Sequence, residues 1–193
     1  ARIGKAVAGG EKILVFGDYD VDGVLSTVML VKALRTLGAQ VEYFIPERLT
    51  DGYGIKDEHV RIPVERGATL VISVDCGIKA VAFTALAREK GVDVIVTDHH
   101  RPGETLPDAV AVLDPILPDS GYPDPGLAGV GVVFKLVQAL LEKAGRSTGL
   151  PHYMKLVSIG TVADVAELKG ENRLFVKHGL EGLRNVANTG LRS

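Results

Sequence analysis

The chain of 193 residues has no tryptophan and a single cysteine, Cys76. One thiol excludes an intrachain disulfide, and with it the small stapled scaffolds of secreted proteins; it fits a reducing compartment. Long hydrophobic runs are missing too. No segment approaches the ~18 apolar residues of a membrane-spanning helix, and the N-terminus lacks a signal-peptide pattern. A cytoplasmic protein that does not enter the membrane is expected. Charge of one sign is also absent: 22 Lys and Arg stand against 24 Asp and Glu, a net charge of −2. Bulk charge therefore does not announce a nucleic-acid binder, although a local basic patch is compatible with it. Aromatic residues make up only 5% of the chain, so few side chains can stack on bases.

What is present is a foldable core. Hydrophobic residues reach 46% and charged residues 24%, the balance of a globular domain and not of a disordered segment. The opening "ARIGKAVAGG" reads as the tail of a helix entered midway and "NTGLRS" stops abruptly, so a fragment of a longer protein is expected.

Residues 1–113 alternate between two periods. "KILVF" (12–16), "VEYFI" (41–45), "TLVISV" (69–74), "VDVIVT" (92–97) and "AVAVL" (109–113) read as strands. Helical patterns run from Val21 to Leu37, with Gly38 as the stop, from Ile55 to about Glu65, and over 78–90. Pro63 is expected to kink or end the second of these, because proline removes an amide donor. Near-continuous apolar strands separated by helices predict an α/β fold, a parallel sheet flanked by helices. Residues 114–127 read as a loop, holding Pro115, Pro118, Gly121, Pro123, Pro125 and Gly126. Beyond it, 128–193 is an all-helical C-terminal part, with patterns at 128–144, 150–168 and 171–184.

"GDYDVDG" (17–23) begins like an EF-hand loop, but its twelfth position is Met29 where a bidentate Glu is needed, and it follows a strand. The calcium-loop reading fails. Ligands of parallel sheets gather at the carboxyl ends of strands, and three strand ends here are acidic or imidazole-rich: Asp18, Asp20 and Asp22; Asp75; and Asp98, His99 and His100. Asp164 stands in an apolar helical context. Singly, Asp22 and Asp75 are good helix N-caps. Together, so many carboxylates at one sheet edge repel, and a divalent cation is the usual remedy. Aspartates with one or two histidines suit Mn²⁺ or Mg²⁺ better than structural zinc, and their number matches a two-metal hydrolytic site. Neighbouring side chains on an extended segment diverge, so one histidine of the pair is read as a ligand and the other as substrate-facing. His59, His152 and His178 are read as ordinary surface or helix residues, and Cys76 as a small buried apolar side chain. The alternation of Asp18, Asp20 and Asp22 reads as extended backbone sending all three to one side, with Gly23 turning the chain into the helix. Tyr53 and Tyr122 lie in loops and read as turn-packing residues, with base stacking as the other reading.

"VFGDYDVDG" (15–23), "VISVDCGI" (71–78), "VIVTDHH" (94–100) and "GTVADV" (160–165), in this order, resemble the four motifs of the DHH phosphoesterase superfamily. "DGYG" (51–54), "LAGVGVVFKL" (127–136) and "GENRLFVKHGL" (170–180) are similar to the bacterial RecJ-type single-stranded-DNA exonucleases. The resemblance implies a 5′→3′ exonuclease of DNA repair and recombination, with single-stranded DNA as substrate, a single-strand-binding protein as partner and two Mn²⁺ or Mg²⁺ ions. It further implies Asp18, Asp20, Asp22, Asp75, His99 and Asp164 as metal ligands, with Asp75 bridging. Asp22, His99 and Asp164 complete one ion's shell, and Asp20 the other's, helped by Asp18. His100 and Asp75 are the implied catalytic residues; His100, Gly129 and Gly131 are the implied substrate contacts. "VLDP" (112–115) carries Asp114 where relatives often have Asn, and the family's second, basic domain is expected beyond this chain. Two other readings remain. A small-substrate phosphoesterase usually has a His before the first motif, where Asp18 stands here. A non-catalytic module of the same fold should lack ligands, and none is missing.

Overall fold

In a computed structural model, the described residues are 1–49, 52, 54–184 and 189–192. Five strands form one parallel sheet: β1 (Lys12–Gly17), β2 (Gln40–Phe44), β3 (Leu70–Val74), β4 (Asp93–Thr97) and β5 (Ala111–Leu113), in the order β2-β1-β3-β4-β5. The described helices are α1 (Arg2–Ala8), α2 (Val21–Thr36), α3 (Arg61–Glu65), α4 (Val81–Glu89), α5 (Gly129–Lys143), α6 (Met154–Ala163), α7 (Gly170–Leu183) and α8 (Thr189–Arg192), with 3-10 turns at Asp57–Val60 and Ser147–His152. The parallel α/β sheet and the helical C-terminal part are as read from the sequence.

The strands' period of two divides the core between the faces. Ile13, Val15, Leu70 and Ile72 meet α2, α5 and α6 on one side. Leu14, Phe16, Val71 and Val94 meet Ile62 of α3 and Phe83 and Ala87 of α4 on the other. The chain steps from β1 outward to β2, then crosses back past β1 to β3. Right-handed crossovers therefore put α2 and α3 on opposite faces and open a crevice between the ends of β1 and β3.

Local details differ from the sequence reading where tertiary contacts decide. Pro63 does not break its helix: the change from 3-10 to α geometry falls at Arg61, ahead of it. Proline at the third position of α3 loses no intrahelical bond, because the first four amides have no such partner. The 150–168 pattern is a 3-10 turn followed by α6, which ends at Ala163. The 78–90 pattern becomes helical only at Val81, since Asp98 and a turn occupy the amides before it. His59 is not a surface residue. It is buried, with its ring 5.3 Å from Phe16 and 5.9 Å from Phe44, and its Nδ1 accepts the Lys56 amide at 3.0 Å. Tyr122 packs against the first core and donates to Glu171, the packing role expected of it. Tyr53 of "DGYG" lies outside the described residues.

Candidate metal centre

The sheet register builds the site. Gly17 pairs with Val74, Val74 with Thr97, and Thr97 with Leu113. One residue beyond each stands an aspartate, so Asp18, Asp75, Asp98 and Asp114 arise at one level on four adjacent strands. All four are at most 3% exposed.

The first acidic loop is not extended. β1 stops at Gly17, where an added Cβ would meet Thr27 Oγ1 at 2.0 Å, and the chain bends at once into α2. Asp20 is the N-cap of α2, accepting the Gly23 amide at 2.9 Å, so the cap expected of Asp22 belongs to its neighbour. Asp22 sits in the first helical turn, buried, and its Oδ1 accepts the Val130 amide at 2.8 Å. Asp75 caps no helix either. The N-cap of α4 is Ala80, and Asp75 instead has φ of 60°, a left-handed conformation that aspartate tolerates better than most residues.

Three overlapping groups of ligand atoms result, each within 4.8 Å of one another: Asp22, His99 and Asp164; Asp18, Asp20 and Asp75; and Asp75, His99 and His100. Every residue that the family resemblance implies as a metal ligand is thus brought to this one place, with His100 beside them. His99 turns inward, its Nε2 3.1 Å from Asp75 Oδ1 and 3.9 Å from Asp22 Oδ2. His100 is the more exposed ring, packed edge-on to His99 at a centroid distance of 4.5 Å.

The sequence reading gives Asp98 no role of its own, although it heads the "DHH" triplet. Its Oδ1 accepts the amides of His99 (2.8 Å) and His100 (3.1 Å) and contacts His100 Nδ1 at 2.7 Å, while Oδ2 accepts the Ile78 amide. It anchors the backbone of both histidines and the imidazole of His100. The available signal was its place directly after a strand, followed by two rings that can bond back to it.

The electrostatics fit a cation. Burial raises the carboxyl pKa of Asp75 and Asp22 well above the carboxylate range, against the lowering effect of His99. Burial opposes protonation of His99, but Asp75, then Asp22 and Asp164, outweigh it and raise that pKa to about 9. Burial also raises Asp18 and Asp164. For Asp98, burial acts upward, yet the His100 and Ile78 bonds prevail and its pKa is lowered. Among the described residues, Asp18 Oδ1, Asp22 Oδ2 and Asp75 Oδ2 are buried without a hydrogen-bond partner, and Asp75 Oδ1 and His99 Nε2 have only each other, at 3.1 Å. Such groups are costly to leave unsatisfied, at about 1–3 kcal/mol each and more when charged. Hard carboxylate oxygens with an imidazole fit Mn²⁺ or Mg²⁺. Cys76 does not join them: its buried Sγ points at the Phe16 and Val74 carbonyls, 3.8 and 3.5 Å away, and burial raises its pKa.

Glycines let helices approach the acids. A Cβ on Gly129, at the start of α5, would lie 2.5 Å from Asp75 Oδ1 and 3.0 Å from Asp22 Oδ2. One on Gly160 of α6 would lie 2.8 Å from Val130 Cγ1. Gly129 and Gly131, which the resemblance implies as substrate contacts, stand two residues apart in the first turn of α5. Both are buried; Gly129 packs on the carboxylates, and Gly131 faces Leu127 and Phe175.

Asp164 is held by the end of α6. It is the C-cap; the Val165 amide bonds Val162 O at 3.2 Å and the Ala166 amide bonds Thr161 O at 3.2 Å, a Schellman motif. Glycine is the usual residue at the position that Val165 fills with φ of 58°.

The profile of the DHH family, N-terminal domain, matches residues 12–161. Single-stranded-DNA-specific exonuclease RecJ of Bacillus subtilis (strain 168) is 47% identical over 192 residues, 99% of this chain and 24% of that protein. The crystal structure of exonuclease RecJ bound to manganese matches with a TM-score of 0.90 at 43% identity, covering 99% of this chain and 48% of its own. RecJ of Thermus thermophilus in complex with Mn²⁺ gives 0.85 at 41%, covering 99% and 27%. The chain spans about a quarter of the length of the curated Bacillus relative. With four motifs in order, one clustered site and a family profile matching residues 12–161, the chain belongs to the DHH family.

Proposed function

We propose that this domain is the hydrolytic core of a 5′→3′ exonuclease acting on single-stranded DNA, with two Mn²⁺ or Mg²⁺ ions. The observation that carries the reading is the set of buried, unpartnered carboxylate oxygens spanning three overlapping ligand groups. Its relatives are single-stranded-DNA-specific exonucleases, and two of the matching structures hold manganese.

Asp22, His99 and Asp164 would hold one ion and Asp18 and Asp20 the other, with Asp75 available to both because its carboxylate lies beside His99 as well as beside Asp18 and Asp20. Bound divalent ions supply Lewis-acid polarisation of the phosphodiester and a water acidic enough to attack it near neutral pH. The residues' own work is placement. Asp75, at a φ of 60°, groups with His99 and His100 on one side and with Asp18 and Asp20 on the other. Asp98 orients His100 through Nδ1, and His100 stabilises the charge that builds on the phosphate oxygens. Gly129 lets α5 close over Asp75 and Asp22, so the Val130 amide fixes Asp22 and the carboxylates stay dry. A single-strand-binding protein as partner, a cytoplasmic location, and service in DNA repair and recombination belong to the same reading. No helix among the described residues is long and apolar enough to cross a membrane.

Asp75→Asn in the complete protein tests it. Release of mononucleotides from 5′-labelled single strands should fall at least ~10³-fold with the fold intact, since an essential carboxylate is lost. Activity within tenfold of the parent would sink the site assignment. A parent that prefers dinucleotides to long strands would replace the exonuclease with a small-substrate phosphoesterase.

A further inference from the structure

None of the ligand groups found among the described residues draws on "GENRLFVKHGL" (170–180), yet its first residues hold two parts of the metal centre together. Asp124, in the loop before α5, accepts the Gly126 amide on Oδ1 at 3.2 Å and the Glu171 amide on Oδ2 at 2.9 Å. Glu171 in turn accepts from Tyr122 and, at 2.9 Å, from Lys135 Nζ. Asn172, only 1% exposed, reaches further: its Nδ2 donates to Gly126 O at 2.6 Å and to Glu167 O at 3.1 Å. Both acceptors are carbonyls, so the side chain can face them only with its NH₂ group. Its Oδ1 is left buried with no partner among the described residues, at a cost of about 1–3 kcal/mol.

The two carbonyls flank one ligand group. Gly126 lies four residues ahead of Val130, whose amide fixes Asp22 at 2.8 Å. Glu167 lies three residues beyond Asp164, the C-cap of α6. Asp22 and Asp164 share a ligand group with His99. The end of α6 does not need Asn172 for its own closure, since the Ala166 amide bonds Thr161 O and the Lys169 amide already bonds Glu167 O at 2.8 Å. What Asn172 adds is a tie across the centre, from the segment after Asp164 to the segment that leads into α5. Groups that hold ligands from outside the metal's own shell decide how well those ligands fit the ion.

We propose that Asn172 is a positioning residue for one metal ion: by joining Gly126 to Glu167 it sets the distance between Asp22 and Asp164. The proposal rests on the two-metal exonuclease reading. Asn172→Leu in the complete protein tests it, since leucine keeps the branched shape while removing both donors and the unpaired oxygen. Calorimetric titration with Mn²⁺ should show one of two sites weakened about tenfold and the other unmoved. The Mn²⁺ concentration for half-maximal strand cleavage should rise by the same factor, with KM for the strand unchanged and kcat largely regained at saturating Mn²⁺. Asp164→Asn should weaken that same site, and combining the two changes should add little, because they act on one ligand. A lower melting temperature with both Mn²⁺ affinities at the parent's values would make Asn172 a packing residue and overturn the proposal, as would equal weakening of both sites. Should Asn172→Leu not fold, Asn172→Ser, too short to reach both carbonyls, is judged by the same split. A parent that binds two Mn²⁺ but cuts no strand fails the exonuclease reading alone, and the split in affinities still decides Asn172.

Discussion

Asp114, like Asp98, stands in the aspartate row but belongs to none of the ligand groups found among the described residues. Its Oδ1 accepts the Ile116 amide at 3.0 Å, while Oδ2 is buried without a partner among the described residues. Burial, with Asp98 adding to it, raises its pKa to about 6. Below pH ~4 the carboxyl is protonated in both folded and unfolded chains and costs nothing. Between about pH 4 and 6 the unfolded chain gives up this proton while the folded chain keeps it, so stability falls across that window and is level above it. Asp114→Asn, which keeps the Ile116 bond, should stabilise the domain by on the order of 1 kcal/mol at pH 7.5 and by nothing at pH 4. Urea midpoints at the two pH values decide it. An equal gain at both would mean that ionisation is not the cause.

At the scale of elements, two glycines two residues apart separate packing from propensity. Gly129→Ala puts a methyl 2.5 Å from an Asp75 oxygen, so α5 must retreat from the cluster. Overpacking of this kind costs about 1–3 kcal/mol, and activity should fall at least tenfold with it. Gly131→Ala meets nothing nearer than 3.5 Å and gains helix propensity; it should be neutral or stabilise by up to ~1 kcal/mol. Paired melts and strand-cleavage assays check both, and a tolerated Gly129→Ala would show that α5 is not pressed on the acids. The same helices show how far a sequence can be read. All five strands were legible, because apolar runs bounded by glycine and polar residues are local signals. The acidic and imidazole cluster was legible in large part because strand ends collect such residues, with Asp164 at the end of α6 as the exception. Capping was not, because Asp20 or Asp22 caps α2 according to where the chain bends, and that bend is set by Gly17 against Thr27 and Gly23 against Asp18. His59 was unreadable for a like reason: Phe16 and Phe44, which bury it, come from distant strands.

For the whole molecule, the acids make folding and metal binding one equilibrium. Divalent ions that bind the folded chain alone stabilise it by about 2.7 kcal/mol at a hundredfold excess over Kd. For a domain of this size that is a rise of about 5–10 °C in melting temperature. Mn²⁺ should produce it, a chelator should reverse it, and Asp22→Asn should blunt it. A melting curve indifferent to millimolar Mn²⁺ would leave the non-catalytic module as the better reading.

The level alignment of four strand ends also makes the opposite end of the sheet usable. A one-residue insertion inside β1, β3 or β4 would swing its aspartate to the wrong face, whereas the turns that lead into these strands carry no such constraint. At Gly91, before β4, φ is +73° and an added Cβ would meet open space. Eight residues separate it from His99, roughly 25 Å along extended chain. Mn²⁺ is paramagnetic, and a reporter grafted at that turn would sense the ion through space while touching none of the groups that bind it.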